Sequence, residues 1–283
     1  MKPATVIATL AISACVISAA AARDTKTDNR TIAAEGAHRL VITCTFGAGK
    51  LTIEPVSMAD AARIDAEYDP DRVDLNVDYR VRGETGRLKI ETDHHGGDVN
   101  TDDNVLGLSL SDKLPTELKL KLGAAQAEID LGGIPLTSLD MEIGAASGKI
   151  MFSKPNPERM RRMNIEIGAS SVTVTDLGNA NFERLKCAVG AASSKLDFRG
   201  EYHGECEISL GVGVASADVI LPADVPIRIQ SDGGGWFSSV KFHNDDLDEI
   251  RDDVWESPGY RTAKTRILLK VSVGMGSVDL TWK

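Results

Sequence analysis

The sequence predicts an all-β fold, a β-solenoid stacked from strand, corner, strand units with rungs of about 21–24 residues. Three observations carry this. The phrase MEIGAASGKI (141–150) returns as IEIGASSVTV (165–174) and CAVGAASSKL (187–196). Its glycines, Gly123, Gly144, Gly168, Gly190 and Gly211, are evenly spaced along the chain. A near-constant period of roughly 21–24 residues marks a stacked, quasi-one-dimensional fold. Ahead of each glycine, apolar and polar residues alternate, the period of a strand with one buried face.

In chain order, residues 1–22 come first: Lys2, a nearly uncharged run from Ala4 to Ala22, then Arg23. This pattern predicts a cleaved export signal rather than a membrane anchor. Ala20-Ala21-Ala22 provides a small-x-small site for cleavage before Arg23. Ile12-Ser13-Ala14-Cys15 resembles a lipobox and keeps a lipid anchor on Cys15 as the alternative. Residues 23–39 form an N-terminal polar segment, and 40–283 the solenoid domain. No transmembrane helix is expected in the mature chain, and its location is periplasmic or extracellular.

The repeat fixes the rest. One residue before the glycine stand Phe46, Leu122, Ile143, Ile167, Val189, Leu210 and Val273; three before stand Cys44, Leu120, Met141, Ile165, Cys187, Ile208 and Val271. Outlying copies lie at Gly47 and Gly274, and the long interval from Gly211 to Gly274 equals three periods of the repeat. Six residues past the glycine the alternation resumes with Ile53, Ile129, Ile150, Val174, Leu196 and Leu280. Glycine allows close backbone approach at the corner, and the small residue after it should leave room for the next rung about 4.8 Å away. Cys44, Cys187 and Cys206 fall on the inward ladder, where cysteine acts as a small hydrophobe; a Cys187–Cys206 disulfide is the alternative.

The GAx corners, LSLSDKLPTELKLKLGAA (108–125), VILPADVPIRIQSDGG (219–234) and YRTAKTRILLKVSVGMGSVDLTW (260–282) resemble the toast-rack family. These bacterial envelope domains include the C-terminal part of LiaF-type cell-wall stress proteins and an adhesin-like group. The resemblance implies a single-stranded right-handed β-helix and a cell-envelope or adhesin-like role. LiaF-type proteins carry membrane helices ahead of this domain, whereas residues 1–22 here are expected to be an export signal.

The formal charge of −10 argues against a nucleic-acid partner, which needs a basic footprint. Four local stretches could carry chemistry. Asp93, His94, His95, Asp98, Asp102 and Asp103 combine metal-ligand types, but adjacent strand residues face opposite ways, so a solvated turn is expected. The stretch 243–256 is acidic, and Leu247, Ile250 and Val254 have the spacing of a short amphipathic helix. Lys154, Arg159, Arg161 and Arg162 could meet anionic cell-wall polymer, or could pair with the surrounding acids in a bulged loop. Trp236 and Phe237 follow three glycines and could present aromatic rings to a partner.

No nucleophile elbow, P-loop or zincin motif occurs. The expectation is therefore a non-enzymatic binding module for an envelope protein or cell-wall polymer, with no cofactor, metal or catalytic residues. The alternative is a carbohydrate-active enzyme, a polysaccharide lyase or hydrolase on the same scaffold.

Overall fold

The apolar ladders on either side of each glycine become two parallel sheets that meet at a corner. They are seen in a computed structural model that describes residues 25–95, 104–232, 238–244 and 246–283. The chain opens with β1 (Lys26–Ile32), β2 (Arg39–Val56), β3 (Ala62–Tyr68), β4 (Val73–Arg82), β5 (Thr85–His94) and β6 (Asn104–Ser111). The central stack uses β7 (Thr116–Asp130), β8 (Leu136–Ile143), β9 (Ser147–Met151), β10 (Arg162–Ile167), β11 (Ser171–Thr175), β12 (Arg184–Val189) and β13 (Ser193–Asp197). It closes with β14 (Glu205–Leu221), β15 (Ile227–Asp232), β16 (Ser238–His243), β17 (Asp248–Arg251), β18 (Val254–Glu256) and β19 (Arg266–Trp282).

In the first sheet, Ile143 of β8 lies opposite Ile167 of β10, followed by Val189 of β12, Val212 of β14 and Val273 of β19. The second sheet aligns Ile129, Ile150, Val174, Leu196, Val219 and Leu280. These side chains are all buried, so the alternation in the sequence is the inward face of each sheet. The chain returns between rungs through loops that bury Phe152, Met160, Phe182 and Phe198. Buried Asn156 ties these loops together: its Nδ2 donates to the carbonyls of Leu136 (2.9 Å) and Ala180 (3.2 Å), and its Oδ1 accepts from the Leu136 amide (3.1 Å).

Stacking follows chain order only from β7 to β14. At one end β2 lies between β7 and the β5–β6 rung. At the other, β19 lies between β14 and the β15–β16 rung. The interval from Gly211 to Gly274 therefore holds one outlying rung and a hairpin, not three sequential turns. The outer rungs are covered by antiparallel strands, β4 on β5, β3 on β6 with β1 beyond it, and β18 on β15 with β17 beyond it. β1 lies within the segment 23–39, so part of that polar stretch is a paired strand.

Three further expectations change. The corner of β14 is Gly213, because Val189 faces Val212 and not Leu210. Parity hid the two-residue shift, since Leu210 and Val212 both point inward. The acidic stretch 243–256 contains the β17–β18 hairpin instead of a helix. Asp253, at φ 61, makes the turn, and Ile250 is exposed while Val254 is buried. Finally, Cys44, Cys187 and Cys206 are free and buried, without the disulfide weighed above. The corrected corner separates Cys187 and Cys206 further along their strands: Cys187 faces Leu210, and the Cys206 Sγ donates to the Phe182 carbonyl at 3.2 Å.

Candidate functional site

Stacking consumes the repeated glycines. A Cβ on Gly123 would lie 2.2 Å from the Gly47 carbonyl oxygen; on Gly168, 2.9 Å from that of Gly144; on Gly213, 3.0 Å from that of Gly190. The backbone is hydrogen-bonded along the same column: Gly168 N donates to Ile143 O at 2.7 Å and Gly190 N to Ile167 O at 2.7 Å. The residue after each glycine stacks on its counterpart in the next rung with its side chain turned outward: Ala169 N donates to Gly144 O and Ala191 N to Gly168 O. Ala124, Ala145, Ala169 and Ala191 are exposed, and the same column ends in Val214 and Met275, 61% and 53% exposed.

On the outer face of the first sheet a trough of about 850 Å³ follows this corner from Gly47 to Gly213 and Ser272. Its floor is glycine backbone. Lys121, Glu142 and Glu166 stand along one half and the small residues Ala188, Gly211 and Ser272 along the other. Lys121 donates to both Glu142 oxygens at 2.8–2.9 Å, which raises the lysine pKa. A second groove, about 460 Å³, adjoins the small-residue half and adds Lys186, Ser209 and Lys270.

The candidate cations are spread over two surfaces. Arg159 is half-buried on a return loop and donates to Asn181 Oδ1 at 3.1 Å and to the Glu205 carbonyl at 3.0 Å. Lys154 lies on the same loop, over Gly133. Arg161 and Arg162 are exposed at the start of β10. The expected pairing of this stretch with nearby acids does not form among the described residues: Arg159 is held by an amide and a carbonyl instead. Trp236 and Phe237 lie outside the described residues, as do Asp98, Asp102, Asp103 and Asp245. His94 packs against Gly47, while His95 Nε2 lies 2.6 Å from Asp74 Oδ2, so the two histidines diverge.

Sequence reasoning missed Arg184 and Lys186. Their signal is the step of the ladder from β10 to β12, which makes Arg184 the counterpart of Arg162 and Lys186 that of Asn164. The thiols have little nucleophilic character at neutral pH. Burial pushes Cys44 and Cys187 up to about 12, and raises Cys206 despite the opposing Arg159. Among the described residues no group of three or more His, Cys, Asp or Glu side chains is arranged to hold a metal ion, and no helix is long and apolar enough to cross a membrane.

The sequence family described as the N-terminal domain of toast_rack, DUF2154, matches residues 21–175, more than half of the chain. Comparison with curated proteins gave no match. Among solved structures, a proposed cell adhesion protein from Clostridium sporogenes aligns over 92% of this chain and 100% of its own, at 19% identity and TM-score 0.50. A proposed adhesin from Bacteroides fragilis aligns over 92% and 98%, at 10% identity and TM-score 0.44. One from Parabacteroides distasonis aligns over 91% and 97%, at 11% identity and TM-score 0.42.

Proposed function

The chain belongs to the toast-rack family, and from that premise we propose that it is an exported cell-envelope protein acting as a non-enzymatic binding module. One observation carries the reading. The only motif that the sequence repeats is taken up by rung-to-rung packing, so its glycines serve the scaffold and leave the outer face to carry function. We read the stack as a single-stranded right-handed β-helix whose outer surfaces meet an envelope protein or a cell-wall polymer. Lys154, Arg159, Arg161 and Arg162, on two surfaces of the stack, and the aromatic pair Trp236 and Phe237 are the proposed partner contacts. The adhesion role proposed for the Clostridium sporogenes protein accords with this.

The test is retention of purified protein on peptidoglycan and acidic polysaccharides, with the eluate assayed for cleavage. Retention without cleavage supports a binding module. New reducing or unsaturated ends would overturn it in favour of a lyase or hydrolase. Export is proposed to proceed by cleavage before Arg23. Cys15→Ser then leaves localisation unchanged, and intact mass gives a chain starting at Arg23. A diacylglyceryl adduct on Cys15 would instead establish lipid anchoring, since stable anchoring takes more than one acyl chain.

A further inference from the structure

Arg162 and Arg184 occupy one outward column of the first sheet. Met163 faces Leu185, so the residues just before them stand level on neighbouring rungs, about 4.8 Å apart along the stack. Like charges in this arrangement repel; neither arginine forms an ion pair among the described residues, although Arg184 shares a hollow with Glu183, Glu205 and Glu207. Glu117, in the same column, pairs with Lys119 at 3.6 Å. Glu207, directly opposite Arg184, is held by Lys270. Lys186 continues the basic cluster one outward position along β12, between Asn164 and Ser209. The Asn164 amide is turned to Asp140 at 3.2 Å. Arg162, Arg184 and Lys186 are all exposed and make no ion pair among the described residues.

Of these cations Lys186 lines the groove that adds it and Ser209 to the small floor of Ala188, Gly211 and Ser272. Arg184 stands two residues before it on the same outward face of β12, in an adjoining hollow, and Arg162 stands level with Arg184 on β10. We propose that Arg162, Arg184 and Lys186 are the anion-binding end of a groove for a linear polysaccharide bearing carboxylate or phosphate groups. This rests on the binding-module reading above and names its ligand chemistry. The groove merges with the trough across several rungs, which suits an extended chain better than a small anion. Rung-to-rung ladders already occupy the backbone groups of its floor, so a peptide could not dock by strand addition. Glycine and alanine carbons offer a flat surface to sugar rings, and Ser209 and Ser272 offer hydroxyls. Glu166 and Asp232 border the grooves and confine the anionic groups to the cationic edge; Glu183 precedes Arg184.

The experiment measures binding of the full exported chain to polygalacturonate, to a glycerol-phosphate polymer and to neutral dextran, at low and high salt. R162E/R184E is compared with K149E/K195E, the same charge change on exposed positions of the second sheet. Unfolding midpoints check that both variants fold. The expected result is salt-sensitive binding to at least one anionic polymer, weakened by about tenfold or more in R162E/R184E and little changed in K149E/K195E. The preferred polymer identifies carboxylate or phosphate as the recognised group. Equal losses in both variants would overturn the site, as would absence of wild-type binding to either polyanion. Retention on dextran alone would overturn this inference and leave the binding-module reading standing; cleavage of any polymer would overturn that reading itself.

Discussion

Gly123 shows how little space one residue of the corner has. The Gly47 oxygen lies 2.2 Å from where its Cβ would be, so Gly123→Ala should force the rungs apart and cost about 3 kcal/mol. Ala124→Ser, one residue on and exposed, should be close to neutral. Urea midpoints of the two variants check this. A second pair tests the ladder: Ile167 is 2% exposed, so Ile167→Asp buries an unpaired charge and should cost about 4 kcal/mol or more. Glu166→Lys, exposed between Glu142 and Ala188, should shift the midpoint little; equal midpoints would contradict the inward face. These positions were readable from the sequence because burial alternates strictly with period two. Gly213 was not, because Gly211 and Gly213 share a parity. Val219, six residues past Gly213, is the cue that separates them.

At the scale of elements, the β17–β18 hairpin is fastened through Glu256. Glu256 is 6% exposed, and its carboxylate accepts hydrogen bonds from Arg228 and from Arg261, the latter at 2.9 Å. Arg228 in turn lies 4.6 Å from the centre of the Tyr260 ring. Burial alone would raise the Glu256 pKa, but the two arginines outweigh it and hold it below its ordinary 4.5. The folded form therefore binds its proton less readily than the unfolded chain. This stabilisation is fully present above about pH 4.5 and fades as pH falls through the lowered folded value. Asp197, lowered by Arg199 against its burial, acts in the same direction. Glu256→Gln should cost about 2 kcal/mol at neutral pH and flatten the acid side of the stability profile. Denaturant titrations at neutral pH and between about pH 5 and 3 would show both effects. The helix expected over 243–256 failed for a local reason: Leu247, Ile250 and Val254 fit helical spacing, but the turn at Asp253 folds the stretch back as a hairpin.

Across the whole molecule, stability should be greatest where a rung has neighbours on both sides. Amide hydrogen exchange is expected to be slowest in β7, β14 and β19 and fastest in β1 and β17, which lie at the margins of the stack. Fast exchange throughout β19 would contradict its interior position. The period showed that rungs stack, but not which rung meets which at the ends. Parallel register depends on contacts between distant segments, and the long gap between Gly211 and Gly274 admits several arrangements. The proposed anion site escaped the sequence for a related cause: Arg162 and Arg184 are a full rung apart along the chain and become neighbours only through the ladder.

The placement of β2 and β19 also bears on the order in which the chain can assemble. Each lies in space between partners from which it is separated along the chain: β2 waits for β7, and β15 and β16 remain uncovered until β19 arrives. Neither end can be completed by winding the coil progressively from one rung to the next. Long-range closure of this kind is slow, and a partly synthesised chain would lack the strand that finishes each end. For a polypeptide proposed to leave the cell interior by threading, such a delay has a use. Slow closure would leave the two ends of the stack unfinished until the later strands follow, and would reserve the final locking for the far side.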